Sequence, residues 1–168
     1  MKLSFSKKAL YLLLLPAVML CSFSWNADKA NFSGDWKLNE SKSELGDFKN
    51  FAATAIKAEQ KDNAITIART TPGFNGGDPR TTTITLTFDG KVTESEGFGG
   101  SKRKSTAKWS DDGQTLIISN STLFERDGQT NEFKSTETWT LTKEGELSVV
   151  TQSSSPRGDM TTKARYTK

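Results

Sequence analysis

After residue 50, apolar and polar residues alternate in short segments. In segment 81–88, Ile84, Leu86 and Phe88 share one face while threonines occupy the other. A period of two predicts a half-buried β-strand with a solvated outer face. The same alternation marks further strands in these segments: 35–38, 54–58, 65–67, 92–96, 105–109, 116–118, 139–141, 147–149 and 160–166. No segment has a helical period, so the pattern predicts about ten strands and an all-β chain.

The connections fall into two groups. Tight turns containing Asp, Asn or Gly, which tolerate positive φ, are predicted at 61–63, 89–90, 111–113 and 143–145. Longer, Gly- and Ser-rich connections lie at 39–52, 71–79, 97–101, 125–129 and 153–158. Because neighbouring strands alternate in direction, each group falls at one end. We therefore predict an antiparallel up-and-down meander β-barrel with a tight base and an open mouth, where small barrels admit ligands.

The alternation also predicts which side chains line the interior. A ten-stranded barrel is wider than one that side chains can just fill, so we expect a cavity, with a filled, flattened barrel as the alternative. The predicted lining is apolar and consists of Trp36, Leu38, Ile56, Ile65, Ile67, Ile84, Leu86, Phe88, Ala107, Trp109, Leu116, Ile118, Phe133, Trp139, Leu141, Leu147, Val149, Met160, Ala164 and Tyr166.

The N-terminus has the pattern of an export signal. Three lysines precede the apolar run 9–20, and Ser22 and Ser24 supply the small residues of a cleavage site. The run is too short for a comfortable membrane span. We expect a signal peptide at 1–24, a single domain at 25–168, and a periplasmic or extracellular location. Cys21 offers the alternative of a bacterial lipoprotein, which Leu20 disfavours because a small residue usually precedes the lipidated cysteine.

Removal of the leader changes the charge and the chemistry that remain. The leader holds three of the 23 basic residues and none of the 20 acidic ones, so the mature chain is neutral overall. A general affinity for nucleic acid is therefore not expected. The chain has no histidine, and its one cysteine lies in the leader. We expect no enzymatic activity, no cofactor, no metal and no transmembrane segment in the mature chain, which we expect to be monomeric.

Several short motifs resemble those of the calycins, the superfamily of lipocalins and fatty-acid-binding proteins. Gly34-Asp35-Trp36 resembles their Gly-x-Trp entry strand, and the tail 163–168 is similar to the end of their barrel. The mature chain also resembles secreted bacterial lipocalin-like proteins of unassigned function, with Asp89-Gly90-Lys91, 104–109, 137–141 and Pro156-x-Gly158 in matching order. The resemblance implies structural roles for Gly34 and Trp36, a barrel, and a small apolar ligand, but no reaction.

One departure from that resemblance concerns the ligand. Fatty-acid-binding proteins hold a carboxylate with an inward arginine two residues before the terminal tyrosine. Here that position is Ala164, ahead of Tyr166, and Arg165 has the outward parity. Fatty-acid recognition by that device is therefore not expected.

The candidate binding residues lie at the mouth and along the lining. Arg69 and Arg80 have inward parity, and Arg103 flanks the same end, so a pair of guanidinium groups could hold an anion. Nearby acidic residues make loop solvation the alternative. Glu137 should point inward and pair with an arginine, unless a bulge turns it outward. Trp109, Trp139 and Tyr166 are either core residues or ligand contacts.

These observations lead to two hypotheses. The first is an exported protein that binds or carries a small hydrophobic or amphipathic molecule in its barrel. The second is a filled barrel that serves as a structural or interaction module of the cell envelope, without a small-molecule ligand.

Overall fold

The computed structural model describes residues 28–73, 76–97, 100–126, 128–155 and 158–168, apart from the side chains of Phe48, Arg126 and Ser155. The expected signal peptide at 1–24, Cys21 and Pro156 lie outside the described residues. Of the domain expected at 25–168, the structure describes residues from Asp28 onward.

Ten antiparallel strands form one sheet, which confirms the predicted all-β meander barrel. They are β1 (Gly34–Leu38), β2 (Ala55–Gln60), β3 (Ala64–Thr71), β4 (Arg80–Thr87), β5 (Thr93–Glu96), β6 (Lys102–Trp109), β7 (Leu116–Arg126), β8 (Gln129–Leu141), β9 (Leu147–Ser155) and β10 (Gly158–Thr167). Each strand pairs with the next strand along the chain, except that β4 and β5 do not pair and form the two edges of the sheet. In addition, β1 pairs with β10. Two 3₁₀ helices, Glu40–Lys42 and Gly46–Phe51, lie between β1 and β2.

The gap between β4 and β5 corrects one sequence prediction. Asp89-Gly90 does form a turn, in which Asp89 Oδ1 accepts hydrogen bonds from Thr87 Oγ1 at 2.6 Å and from the Lys91 amide at 3.1 Å. The flanking strands nevertheless do not pair as a hairpin. Side chains close the gap instead, because Phe88 packs on Trp109 of β6 with ring centroids 5.2 Å apart. A turn motif specifies the local chain reversal, whereas strand pairing depends on the residues beyond it.

Two of the connections predicted as long loops are shortened because the flanking strands extend into them. β7 pairs with β8 up to Arg126 opposite Gln129, and β9 pairs with β10 up to Ser155 opposite Gly158. The strands extend because polar residues continue the ladder, for example where Ser121 lies opposite Lys134 and Asp159 opposite Ser154. Apolar alternation stops where a strand leaves the core, so the sequence pattern underestimates strand length there.

The inner face follows the predicted parity. Strand β3 buries Ile65 and Ile67 completely, and Trp139 and Leu147 are equally inaccessible on β8 and β9. Ile84, Phe88 and Trp109 are partly buried against this core. Burial of large apolar side chains stabilises a fold by roughly 1.5–3 kcal/mol each. The lining therefore supplies the main stabilising term of the barrel.

The N-terminal residues 28–33 cross the base of the barrel, a feature that the sequence pattern did not predict. The Phe32 amide donates to Gln60 Oε1 at 3.0 Å, and the Ala30 amide donates to the Gly113 carbonyl at 2.9 Å. The Phe32 ring is fully buried and stacks on Trp109 at 5.7 Å. This segment therefore seals the end where the tight turns meet.

Gly34 permits the sharp entry into β1. Its φ is +152°, and a Cβ atom here would lie 2.7 Å from Lys168 Cε. The Lys168 ammonium lies 4.8 Å from the centre of the Trp36 ring. The Gly-x-Trp motif thus has a steric origin, since a side chain at Gly34 would displace the C-terminal lysine from Trp36.

Candidate ligand-binding site

A buried ion pair crosses the interior of the barrel. Arg69 of β3 donates to Glu137 of β8 through both terminal nitrogens, at 2.9 Å to Oε1 and 2.6 Å to Oε2. The carboxylate side chain is 5% exposed and the guanidinium side chain 23%. Bidentate arginine–carboxylate pairs are among the stronger charge-assisted contacts in proteins. Glu137 therefore faces inward, and the alternative of an outward bulge is wrong.

Neighbouring polar groups complete the hydrogen bonding of Glu137. Trp139 Nε1 donates to Oε2 at 3.0 Å, and Asn120 Nδ2 lies 3.4 Å from Oε1. Asn120 in turn accepts from Ser105 Oγ at 2.7 Å and lies 3.4 Å from Ser135 Oγ. We refer to Arg69, Ser105, Asn120, Ser135 and Glu137 as the polar layer.

Strand register explains how the polar layer assembles. Ser105, Asn120 and Ser135 are direct cross-strand partners on β6, β7 and β8, so their side chains stand side by side on the inner face. Glu137 follows Ser135 at the next inward position. Arg69 reaches it from β3, on the other side of the barrel, and its Cζ atom lies 5.5 Å from the Trp139 ring centre. Arg69, Ser105, Asn120 and Glu137 each lie two positions beyond an apolar lining residue of their own strand, toward the mouth, and Ser135 lies two positions beyond Glu137.

The ion pair shifts the pKa of both partners. Burial alone would raise the pKa of Glu137, but the charge and hydrogen bonds of Arg69 and the bond from Trp139 outweigh it and hold the pKa below its usual value. Burial alone would lower the pKa of Arg69, but the charge and hydrogen bonds of Glu137 raise it. Both groups are therefore charged near neutral pH.

A second guanidinium group lies beyond the polar layer. Arg103 of β6 is half-buried, and its Nε atom is buried without a hydrogen-bond partner among the described residues. Burial lowers its pKa, with an opposing contribution from Glu137 and a reinforcing one from Arg69. Arg69, Arg103 and Glu137 therefore interact electrostatically with one another.

Arg80 does not join this group. It begins β4 and is exposed, with its backbone opposite Thr71. The prediction that Arg69 and Arg80 form a pair of inward arginines at the mouth is therefore wrong for Arg80. Edge position explains the outcome: β4 lacks a strand on its outer side, so its first residue does not face a closed interior.

The aromatic candidates lie lower in the barrel. Trp36 is buried, and its Nε1 donates to the Phe32 carbonyl at 2.9 Å. Trp109 packs between Phe32 and Phe88. Trp139 meets the edge of Phe32 at 5.9 Å and also contacts the polar layer. We refer to Phe32, Trp36, Phe88, Trp109 and Trp139 as the aromatic base. Trp36 and Trp109 are core residues of this base, whereas Trp139 borders both regions.

Tyr166 is buried on β10, near the ion pair. Burial raises the pKa of its phenol to about 12, with a lowering effect of Arg69 and a smaller raising effect of Glu137. The phenol is therefore protonated at neutral pH and can act as a hydrogen-bond donor.

Two clefts are open to solvent. One of about 410 Å³ lies over β8, β9 and β10, with Ser135, Ser153 and Met160 among its lining residues. The other, of about 370 Å³, lies at the base beside Lys29, Gln60 and Phe88. Neither is the enclosed apolar chamber that the sequence pattern led us to expect.

Sequence reasoning missed three members of the polar layer. Ser105, Asn120 and Ser135 occupy inward positions in segments where the apolar alternation lapses. That lapse was the available signal, since a polar residue at an inward position of a patterned strand requires a buried partner. Among the described residues, no cluster of metal-ligating side chains is present and no helix is long and apolar enough to span a membrane.

Comparison with known proteins places this geometry in a structural class. No protein-family model and no curated protein matches the sequence. The chain is similar in structure to zebrafish ileal bile acid-binding protein complexed with cholic acid, with a TM-score of 0.51 and 16% sequence identity, over 82% of this chain and 98% of that one. At this identity the likeness shows the fold alone, which is a nearly closed, ten-stranded antiparallel barrel.

Proposed function

We propose that this protein binds a small amphipathic molecule in its barrel, with the polar part of the ligand at the polar layer and the rest toward the mouth. The observation that carries the proposal is the buried ion pair of Arg69 and Glu137 inside a barrel that apolar side chains could have filled. Replacing buried ion pairs by apolar residues is often neutral or stabilising. Stability alone therefore does not account for this pair, and we attribute its presence to ligand recognition.

The structural comparison supports the same class of function. The zebrafish protein that shares the fold is described as a bile acid-binding protein and holds cholic acid, a small amphipathic molecule. In this chain, the interior above the aromatic base offers charged and hydroxyl groups together with Phe133 and Met160, both partly buried. Such a mixed lining fits an amphipathic ligand better than a purely apolar one.

Export belongs to the same proposal. The leader pattern at 1–24 supports delivery to the periplasm or the extracellular medium, where a binding protein could capture or carry its ligand. A carrier role requires no catalytic residues, and the chain contains no histidine to act as a general base near neutral pH.

A fluorescence titration with 1-anilinonaphthalene-8-sulfonate, followed by displacement with cholate, tests the proposal. We expect saturable binding at one site and full displacement. The double variant Arg69→Met/Glu137→Met should fold and lose the binding. The matched control Glu44→Met/Lys163→Met removes an exposed ion pair of 2.8 Å and should bind as the wild type does. Absence of saturable binding to the wild type, or equal binding by both double variants, would overturn the proposal.

One observation favours the alternative of a filled barrel that acts as an envelope module. The aromatic base is tightly packed, and both described clefts are open rather than enclosed. Native mass spectrometry of the protein purified from its own host separates the two functions. A co-purified small molecule supports the binding protein, and repeatedly empty protein under gentle conditions supports the module.

A further inference from the structure

The Nε–H group of Arg103, which is buried without a hydrogen-bond partner among the described residues, is the starting point. Its two sequence neighbours, Lys102 and Lys104, are exposed, whereas Arg103 has the inward parity of Ser105 and Ala107. A buried donor without a partner costs free energy, and native proteins retain few such groups. An arginine held in this position therefore calls for an explanation beyond folding.

Glu137 does not neutralise Arg103, because its oxygens are already occupied. Oε1 accepts from Arg69 and lies near Asn120, while Oε2 accepts from Arg69 and Trp139. The charged groups of this region are thus two guanidiniums and one carboxylate, with a net charge of +1 among the described inward-facing side chains. A ligand with one negative charge would balance them.

The surroundings of Arg103 are rich in hydroxyl groups. Its direct cross-strand partners are Ser95 on β5 and Thr122 on β7. One step deeper lie Ser105 and Ser135 of the polar layer, and Thr151 lies opposite Glu137 on β9. Methylene groups of a ligand would only remove water from these hydroxyl groups, whereas ligand hydroxyls could hydrogen-bond with them, in addition to the bonds that Ser105 and Ser135 already make with Asn120.

We propose that Arg103 is the anion subsite of the barrel and that the ligand is a monoanion carrying several hydroxyl groups, with its acidic group on Arg103 and its hydroxyls on the surrounding serine and threonine side chains. This inference rests on the proposed function and names its ligand class. The subsite lies on β6, away from the final strand, where Ala164 replaces the arginine expected from the family resemblance.

Calorimetric titration with three related steroids tests the ligand class. Cholate carries one carboxylate and several hydroxyls, its methyl ester lacks the charge, and 5β-cholanate keeps the carboxylate without hydroxyls. We expect the wild type to bind cholate at least about 10-fold more tightly than the methyl ester, since a charge-assisted contact is lost. We also expect 5β-cholanate to bind no more tightly than cholate, despite its larger apolar surface.

Two variants on one strand locate the subsite. Arg103→Gln should weaken cholate binding by about 10- to 100-fold and abolish the preference over the methyl ester. Lys104→Gln, which removes the adjacent outward charge, should change the affinity by less than about twofold. Urea unfolding of Arg103→Gln should show no loss of stability, since the Nε atom has no partner to lose. Rescue of binding by Arg103→Lys would further indicate a role for the charge.

The possible outcomes distinguish this inference from the proposed function. Cholate binding that Arg103→Gln leaves unchanged, equal affinity for the methyl ester, or much tighter binding of 5β-cholanate would overturn the subsite while the binding function stands. Absence of binding of all three steroids to the wild type would overturn both.

Discussion

The lower and upper halves of the barrel are built on different principles. The aromatic base packs rings against one another, with centroid separations of 5.2–5.9 Å. The polar layer above it consists of charged and hydroxyl side chains that depend on one another for hydrogen bonds. Trp139 belongs to both, because its ring meets Phe32 while its indole N–H donates to Glu137.

The contrast separates the residues that stabilise the barrel from those that, in our proposal, bind the ligand. Burial of apolar rings is non-directional and tolerates small displacements, so the base can stabilise the fold without specifying a ligand. Hydrogen-bonded charges are directional and costly to desolvate. The buried ion pair lies in the upper half, which is the basis of our proposal that the polar group of a ligand binds there.

Removal of an aromatic ring from the base should produce the largest loss of stability. Trp36→Ala removes a side chain that is 1% exposed and leaves a cavity, so we expect a loss of about 3–5 kcal/mol in the free energy of unfolding. Urea denaturation followed by circular dichroism measures it. A loss below about 1 kcal/mol would mean that the base is not the stabilising half.

Disruption of the ion pair should have the next largest effect. Glu137→Gln leaves Arg69 without a counter-charge, and we expect a loss of about 3 kcal/mol, at the low end for buried pairs because Arg69 is 23% exposed and can reach solvent. The exposed pair of Lys163 and Glu44 provides the comparison, and Lys163→Gln should cost less than about 1 kcal/mol. Equal losses in the free energy of unfolding in the two variants would mean that the buried pair contributes no more to stability than the exposed pair.

Acidification should reduce the difference between the wild type and Glu137→Gln. The folded-state pKa of Glu137 is lower than its usual value of about 4.5, so its contribution to stability is complete above that value and is lost as the pH falls through the folded-state pKa. We therefore expect the stability gap between the two proteins to narrow from about pH 7 to about pH 3 in urea unfolding series. A gap that stays constant over this range would contradict the lowered pKa.

The entry to β1 should show a smaller effect. Gly34→Ala forces a side chain into a φ of +152° and toward Lys168 Cε, and we expect a loss of about 1 kcal/mol or more. Lys168→Ala in the same background should recover only the part that comes from the contact. Full recovery of the free energy of unfolding would show that a side chain at Gly34 does not strain the backbone.

The outer face should be the least sensitive region. Thr85 shares a hydroxyl contact of 2.9 Å with Thr66 on the solvated side of β3 and β4. Thr85→Val should change the free energy of unfolding by less than about 0.5 kcal/mol, as measured by thermal or urea unfolding. A loss comparable to that of Glu137→Gln would place an essential contact outside the barrel.

The sequence predicted the fold better than the site, for physical reasons. Apolar alternation reports which side chains leave water, so β3, β4 and the inward set around Ile65 and Leu86 were predictable. It does not report pairing between distant strands, so the partner of Glu137 was left open among the mouth arginines. The alternation predicted an inward side chain for Arg80 as well as for Arg69, yet Arg80 lies on an edge strand and is exposed.

The extended hairpins and the base seal were hidden for a related reason. β7 and β8 continue past the core with residues that are mostly exposed, where backbone hydrogen bonds continue the ladder. Residues 28–33 form no strand, so Phe32 has no periodic pattern to mark its burial. Both features arise from contacts between distant parts of the chain, which local patterning does not encode.

A ¹H–¹⁵N correlation spectrum of the protein, recorded during titration with cholate, tests most directly whether the upper half of the barrel is the binding region. The indole N–H groups of Trp139 and Trp36 donate to Glu137 and to the Phe32 carbonyl, so they report on the polar layer and on the aromatic base. Our account predicts a saturable shift of the Trp139 indole signal while that of Trp36 stays in place. Equal shifts of both signals, or no shift of either at high cholate concentration, would contradict it.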